Sequence, residues 1–383
     1  MHLTTFFKNK IINNSFFKNK IIFVGVKSIK IDTYKNLLYL ILLPEDHILS
    51  SFTSQRPLGL NIFSTDRLKL AYYNFPSNMS LIPFDSNMEI RLRQIVEILS
   101  REERNLVNNP AGLTRAADFL ESCFEGLGMN VSRQTYQVGG LDCQNIEAVA
   151  QDFVGSHAPH IILGAHYDSS PGTTGADDNC SAVAILLETA SFLIKNPTAR
   201  RSIRFLAYTN EEPPHFTNET MGSYVHAKSC RDANHDITAM ICLESLGYFT
   251  SEPDSQEMPF HFGIPQGAEA MMNSRSIDPT IGNFLTIVGD EASAAQLHLF
   301  DSCLQSDSLM PTLPLIMPDM RMSDHLCYWD QGYSALMLSD TALFRNPNYH
   351  RVSDLADTLN YPAMVSIVER LGPALEKFVS RPS

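Results

Sequence analysis

Several short clusters in this chain carry residue types suited to holding a cation. His166 and Asp168 stand in HYD, Asp177 and Asp178 in GADDNCSA, Glu211 and Glu212 in TNEEPP, Glu244 in LESLGYF, Asp324 and His325 in SDH, and His350 closes FRNPNYH. Crowded carboxylates repel one another unless something positive sits among them. Histidine and carboxylate donors without cysteine are the ligand set of divalent ions such as Zn2+, Mn2+ or Co2+ in catalytic sites. Each cluster alone has a plainer reading. A single histidine at a strand end is commonly a satisfied core or surface group, Glu211–Glu212 a solvated pair, and Asp177–Asp178 a cap for the helix beginning near Asn179. Their joint occurrence directs attention to one site.

The elements that must position them follow from apolar periodicity. Leu92, Ile95, Val96 and Leu99 fall at helical spacing, as do Ala116, Phe119, Leu120, Cys123, Phe124 and Leu127, with Gly128 as the cap. Residues 130–138 and 144–152 read as strands parted by Gly139–Gly140, and the run 159–165 is apolar without alternation, the mark of a strand buried on both faces. Helical spacing resumes through Val183, Leu186, Leu187, Ala190 and Ile194, and 202–209, 238–243 and 334–339 read as further strands. Strands alternating with helices predict an α/β fold of three layers, a mostly parallel twisted sheet flanked by helices on both faces. In such sheets ligands bind outside the carboxyl ends of the strands. His166 and Asp168, then Glu211 and Glu212, then Glu244, and His350 a loop beyond the last run, each follow an apolar run and are expected along one sheet edge.

Taken in order over about residues 88–383, these motifs, with MGS at 221–223, resemble the zinc aminopeptidases of the M28 type. The resemblance implies a zinc-exopeptidase-like fold and two divalent metal ions, with zinc as the expected metal. Carried over by position, Asp178 bridges the ions, His166 and Glu244 complete one site, Glu212 and His350 complete the other, and Glu211 is the general base. Asp168 then accepts from the imidazole N–H of His166, Asp177 is structural, and Asp324 and His325 take substrate-side or supporting places. Glu244 departs from the best-known members, which carry aspartate there, and the longer side chain bears on denticity and metal spacing.

The reaction implied is removal of N-terminal residues from peptides with a free amino terminus. A glutaminyl-peptide cyclotransferase shares the fold and is the alternative within it, but GADDNCSA, NEEPP and NPNYH favour the peptidase. A non-catalytic binding domain of the same fold is the alternative from another class, disfavoured because all five ligand positions and the base are present. The identity of the preferred first residue carries no recognisable signature, and oligomeric state is unreadable.

Bulk composition narrows the partners. A net charge of −13 argues against nucleic acid, which is bound through clustered Lys and Arg. Residues 1–45 are set apart: they hold seven Lys against Asp32 and Glu45 and repeat FFKNKII at 6–12 and 16–22, so this basic extension is expected to stand outside the fold. Residues 46–87, with Pro57, Pro76 and Pro83, are expected to form an irregular arm, and 88–383 the catalytic domain. The apolar run 37–43 is far shorter than the ~20 residues that span a bilayer, so no integral membrane segment is expected. Lacking a clear signal peptide, the chain is assigned by default to the cytoplasm, or to the secreted or periplasmic space if the true start differs. Seven scattered Cys without a CxxC pair read as buried apolar thiols, and the NxS/T triplets at Asn78, Asn130 and Asn218 are too common by chance to imply glycosylation.

Overall fold

The computed structural model describes residues 87–258, 265, 267–305 and 310–380, with short strand pairs nearer the N-terminus. Of the expected basic extension and irregular arm it covers only those pairs and Asn87, the pairs including Ile29–Tyr34 antiparallel to Leu37–Leu42. The remainder of both segments lies outside the described residues. The chain divides into a unit Met1–Met79 and a unit Ser80–Ser383, and every candidate site residue belongs to the second.

Helix α1 (Met88–Leu99) starts where the Asn87 side chain accepts the Glu89 N–H, and it buries Leu92, Ile95, Val96 and Leu99. Helix α2 (Pro110–Gly126) begins with Pro in its first turn behind an Asn109 cap, and the chain leaves it through Gly128 at φ +77°. Strands β1 (Asn130–Val138) and β2 (Leu141–Val149) form a hairpin. The expected strand 144–152 thus starts and ends earlier. Its pairing is fixed by the two-residue Gly139–Gly140 turn, whose φ angles of 58° and 81° suit the twist of a tight hairpin.

Then come β3 (His160–His166), α3 (Ala182–Leu193), β4 (Ile203–Tyr208), α4 (Gly222–Asp232) and β5 (Ile237–Glu244). They are followed by α5 (Ala268–Ser274), β6 (Leu285–Gly289), α6 (Ala294–Leu304), β7 (Thr312–Ile316), α7 (His325–Asp330), β8 (Ala335–Ser339) and α8 (Tyr361–Ser380). Among the described residues the sheet has eight strands in the order β7-β6-β8-β5-β3-β4-β2-β1. The central run β8-β5-β3-β4 is parallel throughout, whereas β2 joins β4 and β6 joins β8 antiparallel. The sheet is therefore mixed, mostly parallel and three-layered as expected. No described helix is long and apolar enough to cross a membrane.

Alternate residues of each central strand feed two cores. Ile161, Leu163, Phe205, Ile241 and Leu338 pack with α1, α2, α3, α6 and α8 on one face. Ile162, Leu206, Met240 and Met337 pack with α4 and α7 on the other. Burial on both faces explains why these strands read as continuous apolar runs. All seven Cys are free and buried. Parallel register puts Tyr208 opposite His166 and Ser339 opposite Glu244, so the carboxyl ends of the central strands share one edge.

Candidate metal centre

His166 is the last residue of β3 and Glu244 the last of β5, while Glu211 and Glu212 lie just past β4. Asn210, at φ 58°, turns the chain there. The Asp168 carboxylate accepts the backbone N–H of Glu211 at 3.1 Å with Oδ1 and that of Glu212 at 3.0 Å with Oδ2, fixing where the pair begins. The Pro213–Pro214 bond that follows is cis.

Asp178 sits in the turn Ala176–Ser181 that feeds α3, with backbone angles that leave the helical region. Asp354 holds this turn by accepting the N–H groups of Asp177 at 2.9 Å and Asp178 at 3.2 Å. Asp177 points elsewhere: it accepts Gly247 N at 2.8 Å and Asn346 Nδ2 at 2.7 Å, tying the turn to the segment that carries His350. This fits the structural reading of Asp177. Asn179 donates to Leu243 O at 3.0 Å and accepts from Ser245 N at 3.0 Å, locking the turn against the end of β5. His350 itself has φ 54°, a conformation uncommon outside glycine, and its ring stacks on Tyr349 with centroids 4.0 Å apart.

Two donor triads result: His166, Asp178 and Glu244, and Asp178, Glu212 and His350. Asp178 belongs to both. Its Oδ1 is 3.3 Å from His166 Nε2 and its Oδ2 is 2.9 Å from His350 Nε2. Glu244 Oε2 lies 3.3 Å from His166 Nε2, Glu212 Oε2 lies 3.1 Å from His350 Nε2, and Glu211 Oε2 stands 3.8 Å from His166 Nε2. A divalent cation fits this donor set: His166 Nε2 and Glu212 Oε1 are buried without a hydrogen bond, and soft thiolates are absent from both triads.

The electrostatics show the same crowding. Burial pulls the His166 imidazole down, but Glu211, Asp168, Asp178 and Glu244 outweigh it and hold it well above its ordinary value. For His350, burial is likewise overcome by Asp178 and Glu212, and its pKa rises to about 10. Asp178 is driven far below the carboxylate range, against the effect of burial, by the two histidines beside it. Burial and the neighbouring carboxylates push Glu212 up to about 8 and Glu211 well above the usual value. A cluster that compensates its negative charge with protons in this way is one that cations would neutralise instead.

Of the remaining residues singled out in the sequence, Asp168 lies 3.4 Å from His166 Nδ1 through Oδ1, but its hydrogen bonds go to the Glu211–Glu212 backbone. Asp324 is fully buried, and burial, opposed by the charge of His166 and aided by those of Asp168 and Glu244, pushes its pKa up to about 7. His325 is not brought to the triads: its Nε2 bonds Met320 O at 2.8 Å and its ring meets Trp329 edge-on at 4.5 Å. Sequence reasoning passed over Ser245 and Ser323, whose hydroxyls donate to Glu244 Oε1 at 2.8 Å and Oε2 at 2.6 Å. It also passed over Asp354. Ser323 stands directly before the quoted Asp324, and Asp354 four residues past His350; neither has a local pattern that marks it.

The model of the family described as "Peptidase family M28" matches residues 148–373. The uncharacterized protein YfbL of Escherichia coli is 33% identical over 294 residues, covering 74% of this chain and 84% of that protein. Among solved structures, the LapA aminopeptidase of Legionella pneumophila is similar in fold, with a TM-score of 0.60 at 17% identity over 77% of this chain and 70% of the other. A glutaminyl cyclase of Porphyromonas gingivalis is also similar, with a TM-score of 0.55 at 16% identity over 75% of this chain and 97% of the other. The extent of the family match and the YfbL likeness place the chain: it belongs to peptidase family M28 and is a zinc metallopeptidase.

Proposed function

We propose that the chain is an aminopeptidase holding two zinc ions, one at His166, Asp178 and Glu244 and one at Asp178, Glu212 and His350, with Glu211 as general base. The observation that carries this reading is the sharing of Asp178, each of whose oxygens faces a different histidine. When bound, the paired ions polarise a scissile carbonyl and make a water more acidic. Glu211 is buried, belongs to neither triad, and has its backbone N–H fixed by Asp168. Its burial raises its proton affinity, which suits a carboxylate that takes a proton from water and returns it to the departing amine.

The test combines metal analysis with turnover. Purified protein should carry about two zinc equivalents, a chelator should abolish cleavage of a peptide with a free amino terminus, and added Zn2+ should restore it. The N-acetylated peptide should stay intact. Full activity without metal, or equal turnover of the blocked peptide, would reject the reading. A single zinc with conversion of N-terminal glutamine to pyroglutamate would point to the cyclase chemistry instead, and absence of metal binding to a non-catalytic domain.

A further inference from the structure

Between His166, the last residue of β3, and Asp178, in the turn before α3, residues 167–175 carry neither helix nor strand. Most of this connector is nevertheless buried, so its main-chain carbonyls lack a ladder and need other partners. Arg104, only 1% exposed, supplies them. Its Nε donates to Tyr167 O at 2.8 Å, beside His166, and its Nη atoms donate to Thr174 O at 2.7 Å and Gly175 O at 3.4 Å, ahead of Asp178. The same guanidinium is anchored to the end of α1 through Leu99 O at 2.8 Å and to the residues after it through Glu102 O at 3.2 Å. All five acceptors are main-chain carbonyls. The Arg104 backbone joins in: its N–H donates to Ser169 Oγ at 3.0 Å, its O accepts Ser169 N at 3.0 Å, and Ser169 Oγ donates to Thr173 O at 3.1 Å.

A planar fork of donors in fixed directions suits carbonyls that converge from several segments. Here it ties both ends of the connector to one helix. The end at Tyr167 also carries Asp168, whose carboxylate holds the backbone of Glu211 and Glu212. An irregular segment without such a tie gains conformational freedom, and a shift at either end would change the 3.3 Å between His166 Nε2 and Asp178 Oδ1.

We propose that Arg104 is a positioning residue of the metal centre: by closing the connector between His166 and Asp178 it sets how far apart these two ligands stand. The proposal rests on the reading of the triads as metal sites. Lysine keeps the charge but presents its donors from a single nitrogen, so Arg104→Lys tests the fork rather than the charge.

The experiment titrates the metal-free full chain with Zn2+ against a competing chelating dye and records the visible absorption of the Co2+-saturated form. Arg104→Lys and Arg104→Gln should bind zinc about 10–100-fold more weakly than the parent, the range typical of groups that orient ligands, and their cobalt bands should shift. Ser169→Ala removes one hydroxyl and stays testable if Arg104→Gln does not fold; it should lose about threefold in zinc affinity, with a smaller band shift. Arg275→Lys is the control. It loosens the contact of Arg275 with Asp301 and Thr312 at the β7 edge of the sheet, and should melt lower while matching the parent in both readouts. Unchanged zinc affinity or an unchanged cobalt spectrum in Arg104→Lys and Ser169→Ala would overturn the proposal. An equal loss of zinc affinity in Arg275→Lys would overturn it too, because general destabilisation would then account for the effect. Zinc bound as tightly by His166→Ala as by the parent would instead remove the reading of the triads as metal sites.

Discussion

Glu211 and Glu212 are adjacent, chemically identical and both buried, yet they have different surroundings. Glu212 reaches His350 and joins a triad, whereas Glu211 joins none. Glu211→Gln should therefore keep both metals and lose roughly 10²–10⁴ in rate, the usual contribution of a positioned proton-transfer group. Glu212→Gln removes a charged ligand, so metal content should fall with activity and extra Zn2+ should partly restore both. Metal stoichiometry measured beside turnover decides this; the roles are exchanged if Glu211→Gln is the variant that loses metal. His166, Glu212 and Glu244 were legible in the sequence because each closely follows an apolar run and parallel strands bring such positions to one edge, whereas Asp178, in the turn before α3, was marked only by the resemblance. The two serines on Glu244 were not legible. A serine in sequence gives no sign of its acceptor, and Ser323 meets Glu244 across 79 residues only through tertiary packing.

At the level of elements, the buried central strands announced themselves through uninterrupted apolar runs, while β6 and β7 did not. Each is only five residues long, and β7 contains Pro314. Proline argues against a central strand, but β7 is the sheet edge, where one missing ladder donor is tolerated. Helix α8 also escaped the sequence reading, with Pro373 and Gly372 interrupting an otherwise periodic face. The strand that carries His166 shows a tighter constraint. A Cβ on Gly164 of β3 would stand 2.5 Å from Tyr208 Cε2 of β4. That ring has little room to yield, because the Tyr208 hydroxyl is 2.7 Å from that of Tyr328, which is 2.6 Å from His226 Nδ1. Gly164→Ala should lower stability by about 1–3 kcal/mol through overpacking, and Gly164→Ala combined with Tyr208→Leu should recover part of the loss. Urea denaturation of both proteins checks this, and an unchanged midpoint in the single variant would show that the strands separate freely.

Across the whole molecule, acid stability should depend on two histidines far from the triads in role. Burial pulls His160 at the start of β3 and His325 at the start of α7 down to about 4, with Ala158 O and Met320 O as their ring partners. Below the ordinary histidine value near 6.5 the unfolded chain binds protons at these positions while the folded chain does not. Their contribution is thus fully present above pH ~6.5 and is lost as the pH falls from there towards 4, on the order of 3 kcal/mol for each residue. Zinc release on acidification would obscure the effect, since protons compete for the ligands. The measurement is therefore made on chelator-treated protein, comparing urea midpoints at pH 7, 5.5 and 4.5 for the parent chain and for His160→Gln with His325→Gln. The carboxylates of the metal-free centre titrate equally in both proteins, so the difference between the two pH profiles isolates the histidines. The parent should lose more stability than the double variant between pH 6.5 and 4. Parallel profiles would mean that these rings take up protons in the folded state as readily as in the unfolded one.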